Sequence, residues 1–407
     1  MGSFDSLRYR DYRLLWTGAI LSNIGTWMQT IALSWYVLVL TDSAFWVSFV
    51  TFINFIPVVL SPVGGVYSDR LDRKKILLAT QTLMMLDAAV LAVLAWTGHA
   101  TLFAVLALTF GQGVAFAFNG PTWMAFVPSL VPSDAMVNAI ALNSAQFSLA
   151  RVIGPAIAGG IIASSSDGPA IVFGVNAASF LTVLIALSMI RTRSVPRRSE
   201  HTIRDQLVGG LRYTWNNRRI RTMIAAIGVM SFFAAPASSL LPIFADDVFK
   251  RGAGAYGWLA AALGLGSVAG ALILGRLGNR VSPPIIATAM IALGVFLALF
   301  AAIPSYPLGL VLMFLFGTAF LLFVSGTNSD IQLQVDERVR GRVISIWMLA
   351  FGVMYPIGSL LAGLVAEAWG APTTTFAGAL ACGAWGVAMT WRFRRGPAMQ
   401  AALEPGS

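Results

Sequence analysis

Charge is scarce in this chain. Asp, Glu, Lys and Arg make up 11% of its 407 residues, and the only lysines are Lys74, Lys75 and Lys250. Water-soluble domains carry about 25% charged residues, so an ordinary hydrated surface is excluded. Cysteine and histidine are scarcer still. One cysteine, Cys382, and two histidines, His99 and His201, cannot build a disulfide framework or a Cys/His zinc site. The lysines stand in no G-x-x-x-x-G-K-[ST] loop, which excludes ATP hydrolysis by that route, and there is no H-E-x-x-H or G-x-S-x-G. The chain reads as a non-enzyme without a cofactor.

What is abundant is apolar surface: 57% hydrophobic residues and a mean hydropathy of +0.77. A membrane span takes about 20 apolar residues. Apolar runs broken by short polar loops predict twelve, at 14–40, 45–67, 76–97, 101–123, 138–163, 169–190, 222–245, 254–277, 284–303, 307–329, 343–366 and 371–391. The expected fold is an all-α membrane protein of twelve transmembrane helices in two pseudo-symmetric six-helix bundles, 1–190 and 222–407, with a linker at 191–221. The opening MGSFDSLRYRDYR is polar and basic and precedes a run too long for a signal peptide, so neither a cleavable signal nor a lipid anchor is expected.

The formal charge of +10 reports sidedness, not nucleic-acid binding. Arg8, Arg10 and Arg13 precede span 1, and Arg70, Arg73, Lys74 and Lys75 follow span 2. The 6–7 loop, the 8–9 and 10–11 loops and the C-terminus hold the rest, leaving only Arg151, Lys250 and Arg251 of the 27 cations elsewhere. The positive-inside rule places both termini in the cytoplasm, as an even span count requires, and the expected site is the inner membrane. Within the 6–7 loop RTRSVPRRSEHTIRDQ reads as a polar tether, and QLVGGLRYTWNNRRIR as a basic amphipathic helix suited to the anionic inner leaflet.

An internal repeat divides the chain near residue 205. A shift of 204 residues pairs 131–161 with 335–365, and Val131, Ile140, Phe147, Ile153, Gly154, Ala158 and Gly159 recur identically. Such repeats mark secondary transporters, whose sites lie at the repeat interface.

GVYSDRLDRKK, at 65–75, carries more than a positive-inside cluster needs. Gly65 would allow close helix approach, and Asp69 sets an anion beside Arg70, Arg73 and Lys74. The matching 275–284 stretch keeps Arg280 but has Asn279 in place of Asp69. Arg340, Gly341 and Arg342 open span 11, a helix N-terminus that favours Asp69, while Asp134 at the head of span 5 suits Arg280. These residues are expected to form a cytoplasmic latch.

GVYSDRLDRKK resembles the 2–3 loop signature of the major facilitator superfamily, G-x-x-x-D-[RK]-x-G-[RK]-[RK], with Asp72 in the usual glycine's place. FNGPTWMAFVPSLVP, ARVIGPAIAGG and the RGRV at 340–343 are similar to the branch that contains bacterial enterobactin exporters. ARVIGPAIAGG also resembles a span-5 motif of exporters: Pro155 bends the helix, and Gly154, Gly159 and Gly160 permit packing against the other half. TFGQG, at 109–113, has Thr109 where many drug/proton antiporters have arginine.

Three charges within or near spans, Asp87, Arg151 and Asp330, are the candidates for proton or charge coupling; each costs roughly 2.5–3.5 kcal/mol at mid-bilayer and so should face protein or water. Asp87 reads equally as a proton carrier or as a neutral carboxyl holding helices together, and Arg151 as an anion binder or a cap for carbonyls freed at Pro155. The resemblance implies a cavity lined by spans 1, 4, 7 and 10. Candidates there are Asn23, Trp27, Thr30 and Ser34; Gln112, Phe116, Asn119 and Trp123; Ser231 and Ser238; and Thr318, Ser325 and Ser329. Aromatic and amide lining suits a bulky amphiphile. The expected function is secondary-active export of an amphiphilic drug, siderophore or metabolite by alternating access, driven by protons, through a monomer. The alternative is an importer or facilitator of the same fold without proton coupling.

Overall fold

The computed structural model describes residues 4–192 and 203–401. Of the tether expected at 191–206, residues 193–202 lie outside the described residues and the last four open a helix instead, while the side chains at 203–208 and those of Asn279, Arg338, Arg394 and Arg395 also lie outside the description. Every regular element among the described residues is helical. The first part comprises α1 (Arg10–Thr41), α2 (Ala44–Phe55), α3 (Ser61–Arg70), α4 (Arg73–Trp96), α5 (Leu102–Phe126), α6 (Met136–Ser164) and α7 (Gly168–Met189). The second comprises α8 (Ile203–Asn216), α9 (Arg218–Phe233), α10 (Ala237–Ile243), α11 (Gly252–Leu277), α12 (Pro283–Ala302), α13 (Tyr306–Gln334), α14 (Glu337–Trp369) and α15 (Ala371–Ala401).

Eleven spans among the described residues are long and apolar enough to cross a bilayer. Helix α15 has the length, 31 residues, but Pro372 and Thr373 to Thr375 dilute its hydropathy. Two spans are interrupted where proline removes a backbone donor. Between α2 and α3 the chain tightens to a 3-10 turn, Ile56–Leu60, beside Pro57 and Pro62. After α9 it turns through Pro236 into α10 and then into a π-helical turn, Phe244–Val248.

Capping sets the loop lengths. Asp42 ends α1 in the left-handed conformation (φ 48°), and Ser43 accepts from the Trp46 amide to start α2. Thr101 and Asn217 cap α5 and α9 in the same way. Such caps satisfy amide donors that have no partner inside the helix.

Burial in each part is carried by small residues and close backbones, because lipid supplies no hydrophobic drive between helices. A methyl group added at Gly113 of α5 would lie 2.3 Å from the Asn54 carbonyl oxygen; one added at Gly317 of α13 would lie 2.2 Å from that of Leu263. Gly154 of α6 likewise fits against Ile24 and Trp27 of α1, and Gly358 of α14 against Phe232 of α9. Gly113 and Gly317 are 204 residues apart, as are Gly154 and Gly358, and the first of these pairs lies outside the matched segment, so the repeat extends to a further helix contact. Large apolar side chains such as Phe103, Val39 and Leu272 are exposed, as lipid-facing positions should be.

The chain divides into two compact units. One holds residues up to 202 together with Ala245–Ala261; the other holds Ile203–Phe244 and the remainder from Ala262. The assignment of 245–261 to the first unit has a local cause. A methyl at Gly159 would lie 2.8 Å from the Gly257 Cα, and one at Gly257 would lie 2.6 Å from the Pro155 carbonyl oxygen.

Candidate functional site

In the 2–3 loop Asp69, Asp72, Arg73 and Lys74 each have a partner. Asp72 accepts from the Lys74 amide at 2.9 Å and so caps α4. That explains the departure from the signature's glycine: an aspartate here starts the next helix. Arg73 donates to the carbonyls of Ser68 and Ala125 at 3.1 Å each and lies 3.6 Å from Asp69. Lys74 donates to Ser188 and Ile190, covering carbonyls at the end of α7, where a cation is favoured. Arg70 is exposed.

Three glycines stand differently from their expected places. The close approach in α3 falls on Gly64, where a methyl would lie 2.7 Å from the Ala117 carbonyl; Gly65 has open space. Gly154 packs against α1 in its own unit, not against the other half. Gly159 meets Gly257, whereas Gly160 also faces open space. The side chains of neighbouring helical residues point about 100° apart, so a run of adjacent glycines cannot serve one interface.

The half-exposed face of α1 and α6 brings three chemistry-bearing side chains together. The Arg151 guanidinium lies over the Trp27 ring, 5.5 Å from its centroid, and Phe147 meets the same ring edge-on at 5.7 Å. Gly154 makes this cluster possible by letting the Trp27 Cβ approach. Asn23 is half-buried and Thr30 exposed on the same helix. Hydroxyls along α1 donate backwards, Thr26 to Ser22, Thr30 to Thr26 and Ser34 to Thr30, and on α6 Ser144 donates to Ile140 and Ser148 to Ser144.

Other cavity candidates are engaged inside the first unit. Gln112 accepts from Gln29 at 3.0 Å, and Gln29 accepts from Asn176, linking α5, α1 and α7. Asn119 accepts from Thr80 and Gln81 of α4, and Trp123 donates to Asn143. Between these buried amides Phe116 stands exposed. Thr109 is fully buried and donates to Val105 of its own helix at 2.7 Å, so no cation occupies that position. Asp87 is buried, and its Oδ2 has no hydrogen-bond partner among the described residues. Gly111 of α5 faces this carboxyl; a methyl there would lie 3.4 Å from Oδ2. Asp134 is exposed at the head of α6.

In the second unit Asp330 is buried and forms a two-point ion pair with Arg219 of α9: Nε to Oδ2 at 3.1 Å, and Nη2 to Oδ1. Residues 204 positions earlier are Leu15 and Phe126, both in an apolar core, so the pair belongs to one half only. Trp347, Phe351 and Tyr355 stack along α14 with ring centroids 6.3 and 6.5 Å apart. Ser238 lies 3.2 Å from the Tyr355 hydroxyl, Ser231 is buried, and Ser325 is half-buried. Arg342 lies against Gly209 of α8, Arg340 is half-buried, and Arg280 is exposed.

Sequence reasoning missed Gln29, Asn176, Arg219 and the α14 stack. The stack had a readable signal, three aromatics at i, i+4 and i+8 on one helical face. Phe351 is also the repeat counterpart of Phe147.

The family model described as transmembrane secretion effector matches residues 1–406. The multidrug efflux pump Tap of Mycolicibacterium fortuitum is 29% identical over 89% of this chain and 91% of its own length. The enterobactin exporter EntS of Escherichia coli is 30% identical over 74% of this chain and 72% of its own. Among solved structures, the nucleoside transporter NupG superposes with a TM-score of 0.77 at 15% identity, covering 94% of this chain and 99% of that one. A bacterial homolog of the lysosomal transporter Spinster gives 0.75 at 13%, covering 97% and 99%. These two establish the fold. The chain belongs to the transmembrane secretion effector family of the major facilitator superfamily, as a multi-pass transporter of its efflux branch.

Proposed function

We propose that this protein is a secondary-active exporter of amphiphilic small molecules that works by alternating access as a monomer. The observation that carries this reading is the likeness, along most of the chain, to relatives named as a multidrug efflux pump and an enterobactin exporter. At residue level it is supported by the Trp27, Phe147 and Arg151 cluster, which offers ring faces and one cation to a ligand with an aromatic body and acidic groups.

In this reading α15 is the twelfth span, two six-helix bundles at 1–190 and 222–407 flank a linker at 191–221, and both termini lie on the cytoplasmic side of the inner membrane. Protons drive export, and Asp87, a buried carboxyl beside Gly111, carries them. The latch of Asp69 with Arg340 and Arg342, and of Asp134 with Arg280, holds the cytoplasmic side closed in one state.

The test is accumulation of a panel of dyes and catechol siderophores in cells with and without the protein, each with and without a protonophore. Lower accumulation that a protonophore abolishes is expected. Equal accumulation for every compound would overturn export, and exclusion that persists with the protonophore would overturn proton drive. A facilitator without proton coupling is the second reading; it is favoured by Thr109, whose buried hydroxyl leaves no charge at the antiporters' arginine position.

A further inference from the structure

Helix α8 presents two different faces. Gly210 and Thr214 are buried, and a methyl at Gly210 would lie 2.6 Å from the Arg342 carbonyl oxygen, so this side is seated on α14. Leu211 and Trp215, one turn apart on another side, are 56% and 67% exposed. A bare Leu and Trp on a basic helix are costly in water and well placed at a headgroup boundary, where an indole rests with its ring in the acyl region. Arg221 lies over the Trp215 ring at 5.4 Å and donates to the Trp215 carbonyl, which adds a cation beside that apolar pair.

Next to this face is a cleft of about 410 Å³ lined by Gly209, Arg212, Tyr213, Asn216, Asn217 and Val339. Asn217 is already committed, because its side chain accepts from the Arg219 and Ile220 amides. Arg212, the Tyr213 hydroxyl and the Asn216 amide are not: among the described residues none has a hydrogen-bond or ion-pair partner. One guanidinium, one phenol and one amide therefore share a cleft with donors to spare. Among the described residues nothing acidic lines it, and Arg218 is exposed two residues beyond Asn216.

We propose that this cleft binds the phosphate of an anionic phospholipid while Leu211 and Trp215 enter the acyl boundary of the same leaflet. Charge complementarity selects the occupant. A guanidinium matches phosphate oxygens with paired donors, and the adjoining apolar pair gives a lipid an advantage that free phosphate lacks. The leaflet is the cytoplasmic one if the orientation proposed above holds, but lipid retention in detergent does not depend on that orientation.

The experiment is native mass spectrometry of the full-length protein in detergent, equilibrated with phosphatidylglycerol or phosphatidylcholine. Phosphatidylglycerol should be retained about fivefold over phosphatidylcholine, the weight of one basic residue at an anionic surface. Arg212→Gln, at an exposed position, should bring that ratio close to one. Leu211→Ser combined with Trp215→Ser should weaken both lipids alike. Equal retention of the two lipids by the wild type would overturn the proposal, as would an unchanged preference in Arg212→Gln. Displacement of phosphatidylglycerol by millimolar inorganic phosphate would also overturn it, in favour of a site for free phosphate.

Discussion

Asp330 and Arg219 allow a structural role to be separated from a transport role. Asp330 is 2% exposed, whereas the Arg219 side chain is 35% exposed. Removing one partner of a fully buried ion pair costs about 3–5 kcal/mol, because the other is left desolvated. Here the arginine can rehydrate, so Asp330→Asn should cost less, about 2–3 kcal/mol. At about 2–4 °C per kcal/mol for a unit of this size, the melting temperature in detergent should fall by roughly 4–12 °C. The first half shows the remedy, since Leu15 and Phe126 fill the corresponding positions. Replacing both members by leucine should return stability to within about 1 kcal/mol of wild type, as apolar substitutes for buried pairs often do. Thermal unfolding followed by size-exclusion fluorescence reads all four corners of the cycle, and substrate efflux is measured on the same variants. If Asp330→Asn melts with the wild type while efflux is lost, the pair is not structural. A double leucine variant that melts no higher than Asp330→Asn would refute the structural role equally.

Gly113→Ala and Gly317→Ala each force neighbouring backbones apart by about 1 Å and should destabilise by about 1–3 kcal/mol; Gly120→Ala, with open space at its Cβ position, should melt with the wild type or slightly above. Asp72→Ala removes the α4 cap and should cost about 1 kcal/mol, read as a shift of a few degrees in melting temperature. Asp69→Asn breaks only a partly exposed 3.6 Å contact with Arg73, worth at most about 1 kcal/mol; it should leave insertion and melting temperature intact while abolishing efflux. Arg151→Gln should raise the apparent KM for acidic aromatic substrates about tenfold, with little change for neutral dyes, in a dose-dependent efflux assay.

Composition and hydropathy made the all-helical membrane fold legible, because about 20 apolar residues admit one solution in lipid. The 204-residue repeat was legible through seven recurring residues, among them Gly154 and Gly159, which stand where backbones touch. Polar side chains were harder to place. Gln112, Phe116, Asn119 and Trp123 share a helical spacing, yet Gln112 and Asn119 bond inward while Phe116 is exposed. Spacing defines a stripe about one side chain wide, and a stripe near a helix–helix seam divides between core and surface according to the neighbours' own polar groups. Gly64 and Gly65 illustrate the same limit, since adjacent residues diverge by about 100°. Asp330 was legible as a buried charge, but its partner was not, because Arg219 lies 111 residues away in a stretch that reads from sequence as the arginine-rich 6–7 loop and in the structure opens α9.

The backward-donating hydroxyls of α1 and α6 bear on which molecules this surface can select. Thr26, Thr30, Ser144 and Ser148 have each committed their single proton to a carbonyl one turn earlier. What remains at each oxygen is lone-pair density alone. In the export reading proposed above, a solute passing this face meets proton acceptors together with the Arg151 guanidinium. Phenols, catechols and protonated amines find partners on such a face, whereas their methyl ethers and tertiary amides must shed water without replacement. In that reading selection turns on the solute's donor protons more than on its size, so that compounds of very different outline would share this path while close isosteres would be refused.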